Sequence, residues 1–387
     1  MKRLITKTQT SLLAGLIVGS MFCTAAVSFA AEGTWIRKTD MPTPRFGISI
    51  AKVGGKLFVI GGSQSDDRLA TVEVYDPATD SWVPRAEMPT ARKNSAAAVV
   101  NGIIYVFGGT QIKESGGITT TEAYDPATNT WTTKQDMPTP RSGPAAVPFQ
   151  GKIYVIGGWG VNNAMESVVE VYDPVTDTWE NKAPLPVASG NFGFAGLNGK
   201  IYVFGGNTAA GYIRATREYD PVTDRWTTKA VMPSDRIFPS ATVLNGKIYV
   251  LGSSLDTTAR VDLYDPVTNT WEAGVPMPTA RGDLASATVK GRIYAIGGHT
   301  GITWGDAGTI YARVEEFALP EPQLTIQKSV LLSWKQNGRD YVVESASSLE
   351  GPWTQLAQFE SRIVGDEVHV TVIQTRAAQF FRLSVTP

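Results

Sequence analysis

Cysteine is almost missing from this chain. Of 387 residues only Cys23 carries a thiol, so no intramolecular disulfide can hold the fold and a large apolar core must do so instead. Histidine is nearly as scarce. With His299 and His369 alone, a Cys/His or multi-histidine metal site cannot be assembled, and no metal or cofactor is expected. Charge is balanced, with 35 Lys and Arg against 36 Asp and Glu, and no basic run occurs, so nucleic acid is not an expected partner. Neither a Walker-type glycine loop nor a Gly-x-Ser-x-Gly elbow is present, which removes the common phosphate-binding and serine-hydrolase arrangements.

Long apolar runs are missing too, except at the start. Lys2, Arg3 and Lys7 precede an apolar stretch that ends with Ser28 and Ala30 at the −3 and −1 positions of a cleavage site. Residues 1–30 are therefore expected to be a secretory signal peptide, since the small residues near Ala25 and Ala26 suit processing better than spanning. Phe22 stands where a lipidated cysteine would need a small residue. Cleavage removes the one thiol and leaves 32 Lys and Arg against 36 Asp and Glu. The expected location is periplasmic, cell-surface or extracellular, with no membrane span after cleavage.

Repetition dominates the rest. Glycine doublets close alternating apolar runs at Gly61, Gly108, Gly157, Gly205 and Gly297, with Gly252-Ser253 as a worn copy, at intervals of 47, 49, 48, 47 and 45 residues. Such periods point to a propeller or a solenoid. An arginine after Met-Pro stands at Arg45, Arg92, Arg141, Arg236 and Arg281, and Ser189 fills the same slot in the fourth unit. From slot to turn glycine is always ten residues and from slot to doublet sixteen; from the Tyr of Tyr-Asp-Pro to Trp is always seven. Only the doublet-to-tyrosine interval varies. Each unit then holds four strands, the first rich in small residues and expected innermost. The variable loop and the Met-Pro-x-x-Arg loop share one face, and the short glycine turn and the Tyr-Asp-Pro turn share the other.

The sixth unit ends at Phe317 without an Asp-Pro turn or a tryptophan. Ten residues before Arg45, at the spacing used elsewhere, stands Trp35. The N-terminal segment is therefore expected to supply the outer strand of the last unit, which would close a ring and remove its edges.

Tyr, Asp-Pro, Trp and the glycine doublet at these spacings resemble the kelch repeat over roughly residues 33–319. The resemblance implies an all-β, six-bladed propeller over 31–319, closed by an N-terminal strand. Copper-radical oxidases with kelch repeats need a cysteine-linked tyrosine and histidine ligands, which this chain lacks. After "LPEPQ", residues 320–387 look like the small β-sandwich modules appended to secreted bacterial proteins, with about six short strands and an Asn337-Gly338 turn. Trp334, Tyr341, Trp353 and Phe381 are expected in its core.

Two residues before each third-strand aromatic stand Glu73, Glu122, Glu170, Asp262 and Glu315, with Arg217 as the exception. Arg217 and Ser189 belong to the same unit, so acids and slot arginines are expected to be structural pairs, lost together there. Ligand binding by the arginines is the alternative, and all five are expected to bias the rim toward negative groups.

A ligand is rarely sixfold symmetric, so recognition is sought where the repeats differ. The unequal loops carry Gln111, Lys113 and Glu114; Trp159, Asn162, Asn163 and Glu166; Asn207, Tyr212 and Arg214; and His299, Trp304 and Asp306. With Ser189 and Asn191 nearby, Trp159, Asn162, Asn207, Tyr212, Arg214, His299 and Trp304 are the candidate ligand-binding residues. Exposed tryptophans beside amides suit a sugar face or a protein hot spot, unless each packs on its own loop. His299, alone in a loop, is more simply a solvated side chain than a base. The expected function is a non-enzymatic recognition propeller for a protein or glycan. The alternative class resembles the kelch N-acetylneuraminate epimerases, in which Glu166 or Arg214 would take the acid and arginine roles.

Overall fold

The computed structural model describes residues 33–111, 116–255, 259–301 and 308–319, together with the backbone of seven strands outside that range. The chain divides into two compact units, Glu32–Pro320 and the remainder.

The larger unit is six antiparallel four-stranded sheets. Blade 1 runs Ser49–Val53, Lys56–Ile60, Val72–Asp76 and Ser81–Pro84 from inside to outside, and blades 2 to 5 repeat the order. Their innermost strands, Ala96–Val100, Ala145–Phe149, Gly193–Leu197 and Ser240–Leu244, join Ser49–Val53 and Ala285–Val289 in one ring, each beside the next. Small side chains let six strands converge on the axis. Blade 6 takes its outer strand from Thr34–Arg37, with Trp35 opposite Phe317 in the register expected from the spacing.

The repeated turn explains why the blades hold together. In each complete unit the Tyr-Asp-Pro aspartate accepts a backbone N–H two residues on, as Asp76 does from Ala78 at 2.9 Å, and the proline presets the turn. The Asp or Asn five residues after the tyrosine adopts positive φ, from 51° at Asp80 to 57° at Asn129, which short polar side chains tolerate. Its side-chain oxygen accepts two hydrogen bonds. In blade 3 these come from the Tyr172 hydroxyl at 2.6 Å and from the Gln135 N–H of the preceding inter-blade loop at 2.9 Å. The Trp179 indole donates to the Gln135 carbonyl at 3.0 Å. Trp35 makes the same bond to Val275 at 3.0 Å, so the closing strand is locked like the other five.

This network titrates in acid. Burial pushes the Asp80, Asp177 and Asp224 carboxyls up, but the tyrosine hydroxyl and the backbone N–H outweigh it and hold them below the usual value. A depressed folded pKa adds stability that is present above the unfolded value, about 3.9, and is lost as pH falls through the folded value. Asn129 and Asn269 do the same job without charge. A D80N/D177N/D224N variant should therefore lose less thermal stability than the wild type between about pH 4 and pH 2. Equal losses in the two proteins would show that these carboxylates do not set the acid limit.

In the other unit, Gln323–Lys335, Tyr341–Ala346, Thr354–Gln355, Glu360–Val364, Glu367–Ile373 and Phe380–Val385 form six strands. Gln323–Lys335 pairs with Glu367–Ile373, which pairs with Glu360–Val364, and Cys23–Ser28 pairs with the first half of Gln323–Lys335. Tyr341–Ala346 is flanked by Thr354–Gln355 and Phe380–Val385 in a second sheet. The Asn337-Gly338 turn and the four aromatic side chains assigned to this core lie outside the described residues. No helix among the described residues is long and apolar enough to cross a membrane.

Candidate ligand-binding face

The slot arginines are interior groups. Arg45, Arg92, Arg141, Arg236 and Arg281 are at most 1% exposed, and each meets the third-strand acid of its own blade. The Nη···Oε or Oδ distances are 3.0 Å to Glu73 and 2.6 Å to Glu122, Glu170, Asp262 and Glu315. A threonine two residues before the slot donates to the same carboxylate from Thr43, Thr90, Thr139 and Thr279. Further Nη–H groups donate to carbonyls such as Val59, Val155 and Ala295. Burial pulls Arg45 and Arg92 down to about 10, against the raising effect of their acids, and both stay charged at neutral pH. The expected pairing is present. The expected positive rim is not, because all five charges are buried and neutralised where they stand.

Two residues after each slot the chain enters the left-handed region. Gly47, Asn94, Gly143, Asn191, Phe238 and Asp283 carry φ between 51° and 62°. Their backbones form a belt around the inner ring: Asn94 N–H donates to Gly47, Gly143 to Asn94, Phe238 to Asn191, Asp283 to Phe238 and Gly47 to Asp283, at 2.6 to 3.1 Å. The step from Asn191 to Gly143 carries no such bond. The belt is open only at the seam of blades 3 and 4.

Four of the candidate residues meet at that seam. Ser189 and Asn191 are buried, and the Asn191 amide donates to Asn207 Oδ1 at 3.1 Å. Asn207 is tied to Gly190 by a reciprocal backbone pair. The Trp159 indole lies 2.8 Å from where a Cβ on Gly190 would stand, so only glycine fits beneath it. Trp159 is thus half-buried against the next blade's loop, rather than exposed. Arg217 Nη1 donates to Ser189 Oγ at 3.2 Å, completing the cluster.

Tyr212 adjoins this cluster as the antiparallel partner of Asn207 in a short two-stranded ribbon, and with Arg214 it borders a groove of about 700 Å³ lined also by Thr216, Lys229, Val231, Ser234 and Asp235. Tyr212 is 49% exposed, and Arg214 Nε faces Asp235 at 3.7 Å. The buried hydroxyls of Thr216 and Ser234 have no hydrogen-bond partner there. Ser234 occupies the place of the carboxylate-capping threonine, and the shorter Asp262 turns to Arg260 instead. Asn162 is exposed at a loop tip with φ of 56°. Trp304 and Asp306, with Lys113 and Glu114, lie outside the described residues.

His299 belongs to a third group, between blades 6 and 1. Its ring meets Phe46 edge-on at 4.6 Å, and its Nε2 is 3.9 Å from Asp283 Oδ2. The Lys93 ammonium sits over the same Phe46 ring, 4.7 Å from its centroid. Burial pushes the Asp283 carboxyl up, opposed by the neighbouring His299 and Lys93 side chains. His299 is therefore packed and paired rather than simply solvated. Sequence spacing missed Asp283, Phe46 and Lys93; the signal for Asp283 was the Gly, Asn, Gly, Asn, Phe, Asp series two residues past the slot, and Phe46 and Lys93 stand one residue past theirs. No group of three or more metal-ligating side chains occurs among the described residues.

Comparison with known proteins agrees with this architecture. The KLHDC2/KLHL20/DRC7 Kelch-repeats domain family matches residues 32–185, and the Kelch motif family matches residues 188–233 and 235–278. No curated protein sequence matches the chain. A solved structure titled "Structure of YjhT" is similar to it with a TM-score of 0.62 at 18% identity, over 72% of this chain and 96% of that one. At that identity the likeness speaks to the fold.

Proposed function

Because this chain belongs to the kelch-repeat propellers, we propose that it is an exported, non-enzymatic recognition module whose variable-loop face binds a glycan. The single observation that carries this is the clustering of departures from sixfold symmetry in blade 4 and its two seams. There Ser189 and Arg217 replace the arginine–acid pair, the backbone belt is open, the amides of Asn191 and Asn207 meet beside Trp159, and Tyr212, the strand partner of Asn207, borders a groove. Amides and hydroxyls that both donate and accept, beside half-exposed aromatic rings, suit sugar hydroxyls and the apolar face of a pyranose. The second unit, read as a β-sandwich, would serve as a spacer or attachment module.

A glycan array probed with the full chain should give a restricted set of ligands. Affinity for the best of them should fall about tenfold or more in Tyr212→Ala and Trp159→Ala. Tyr212 is exposed, so its variant should keep the wild-type thermal midpoint. Binding only to immobilised protein would replace the glycan by a protein partner, and NMR-detected anomerisation of N-acetylneuraminate would replace recognition by the epimerase-like alternative. Binding that survives both substitutions would move the site off this face.

A further inference from the structure

A buried guanidinium keeps its charge at neutral pH and needs a counter-charge. Five blades supply one internally, as a carboxylate held by both the slot arginine and, in four of them, a threonine hydroxyl. Blade 4 has the cation without the anion. Arg217 stands where the acid stands elsewhere, is only 8% exposed, and is bonded through Nη1 to Ser189 Oγ at 3.2 Å. No ion pair to it exists among the described residues. Val187 replaces the threonine that would donate to a carboxylate, so the apparatus for an internal anion is gone as a set. Burial lowers the Arg217 pKa and no neighbouring charge opposes it. The same seam is the one where the backbone belt is open.

We propose that blade 4 binds a single carboxylate-sized anion against Arg217 and Ser189, so that the counter-charge built into the other five blades is here supplied by the ligand. The planar guanidinium offers a carboxylate two parallel N–H groups. The Ser189 hydroxyl, which accepts from Arg217 and donates over 3.3 Å to the Val187 carbonyl, can turn its O–H onto the same anion. A free small anion and a carboxylate carried on a sugar share this chemistry. The inference goes beyond the glycan proposal and stands if that one fails, because a free anion satisfies the site.

Sodium acetate titrated into the full chain from low salt tests it. The Arg217 Nε–H resonance should follow a saturable curve, and the thermal midpoint should rise by mass action. In S189R/R217E, which restores the pattern of the other blades, the acetate-dependent rise should fall to less than about half while the acetate-free midpoint goes up. Arg217→Met should also lose the acetate response, giving a second variant if the first folds poorly. Glucuronate acting at about tenfold lower concentration than acetate would place the carboxylate on a sugar, and equal potency would make it a free anion; either satisfies the site. An acetate response equal in all three proteins, or no saturable shift in the wild type, would overturn the proposal.

Discussion

Replacing Trp35 with alanine is expected to cost roughly 3–5 kcal/mol and to open the ring. The side chain packs at 5.2 Å on Phe317, joins the core that includes Tyr249 and Ile293, and donates to Val275 across the blade 5–6 boundary. Loss of the ring removes both the apolar contact and the bond that ties the closing strand to its neighbour. Phe317 would be left uncovered beside a strand edge, so aggregation should accompany the loss. Thermal unfolding with light scattering checks this. A variant as stable as the wild type would mean that residues 34–37 do not carry the closure, whereas Trp82→Ala, in a blade already continuous in sequence, should destabilise without separating the chain ends.

The second large effect is expected at the buried ion pairs. Glu170→Gln leaves the Arg141 guanidinium, with no exposed surface, facing a neutral amide 2.6 Å away, and breaking such a pair from one side costs about 3–5 kcal/mol. Gln still accepts from the Thr139 hydroxyl, so the loss reports charge rather than capping. Removing both partners together in R141M/E170M should cost much less than the sum of the two single changes, since no charge is then left uncompensated. Urea unfolding of the four proteins gives the coupling. Strict additivity would show that the pair is not an electrostatic unit, and the contrast drawn with Arg217 would lose its basis.

Much of the fold could be read from spacing because each blade is a local unit. A Tyr-to-Trp interval of seven residues is a hairpin, and a hairpin's register follows from its turn. Closure was legible for the same reason, as the absence of Trp after Phe317 and its presence at position 35 are two halves of one hairpin pattern. The joint replacement of the slot arginine by Ser189 and of the acid by Arg217 announced the ion pairs through co-departure. Their burial did not show in the sequence, since a charged ring on a surface and five neutralised pairs inside it share one pattern. Trp159 escaped a correct assignment because its partner, Gly190, belongs to the next blade, and contacts across a seam follow no interval. Asp283 was hidden by a turn conformation, the left-handed belt, whose six occupants range from glycine to phenylalanine.

Hydrogen exchange of the full chain, with and without the best glycan from an array, tests most directly that recognition sits in blade 4 and its seams. Protection should concentrate in residues 159–166, 185–191 and 207–217, and the corresponding loops of blades 1 and 2 should exchange as in the free protein. Protection centred on the Tyr-Asp-Pro turns of the opposite face, or spread evenly over all six blades, would contradict it.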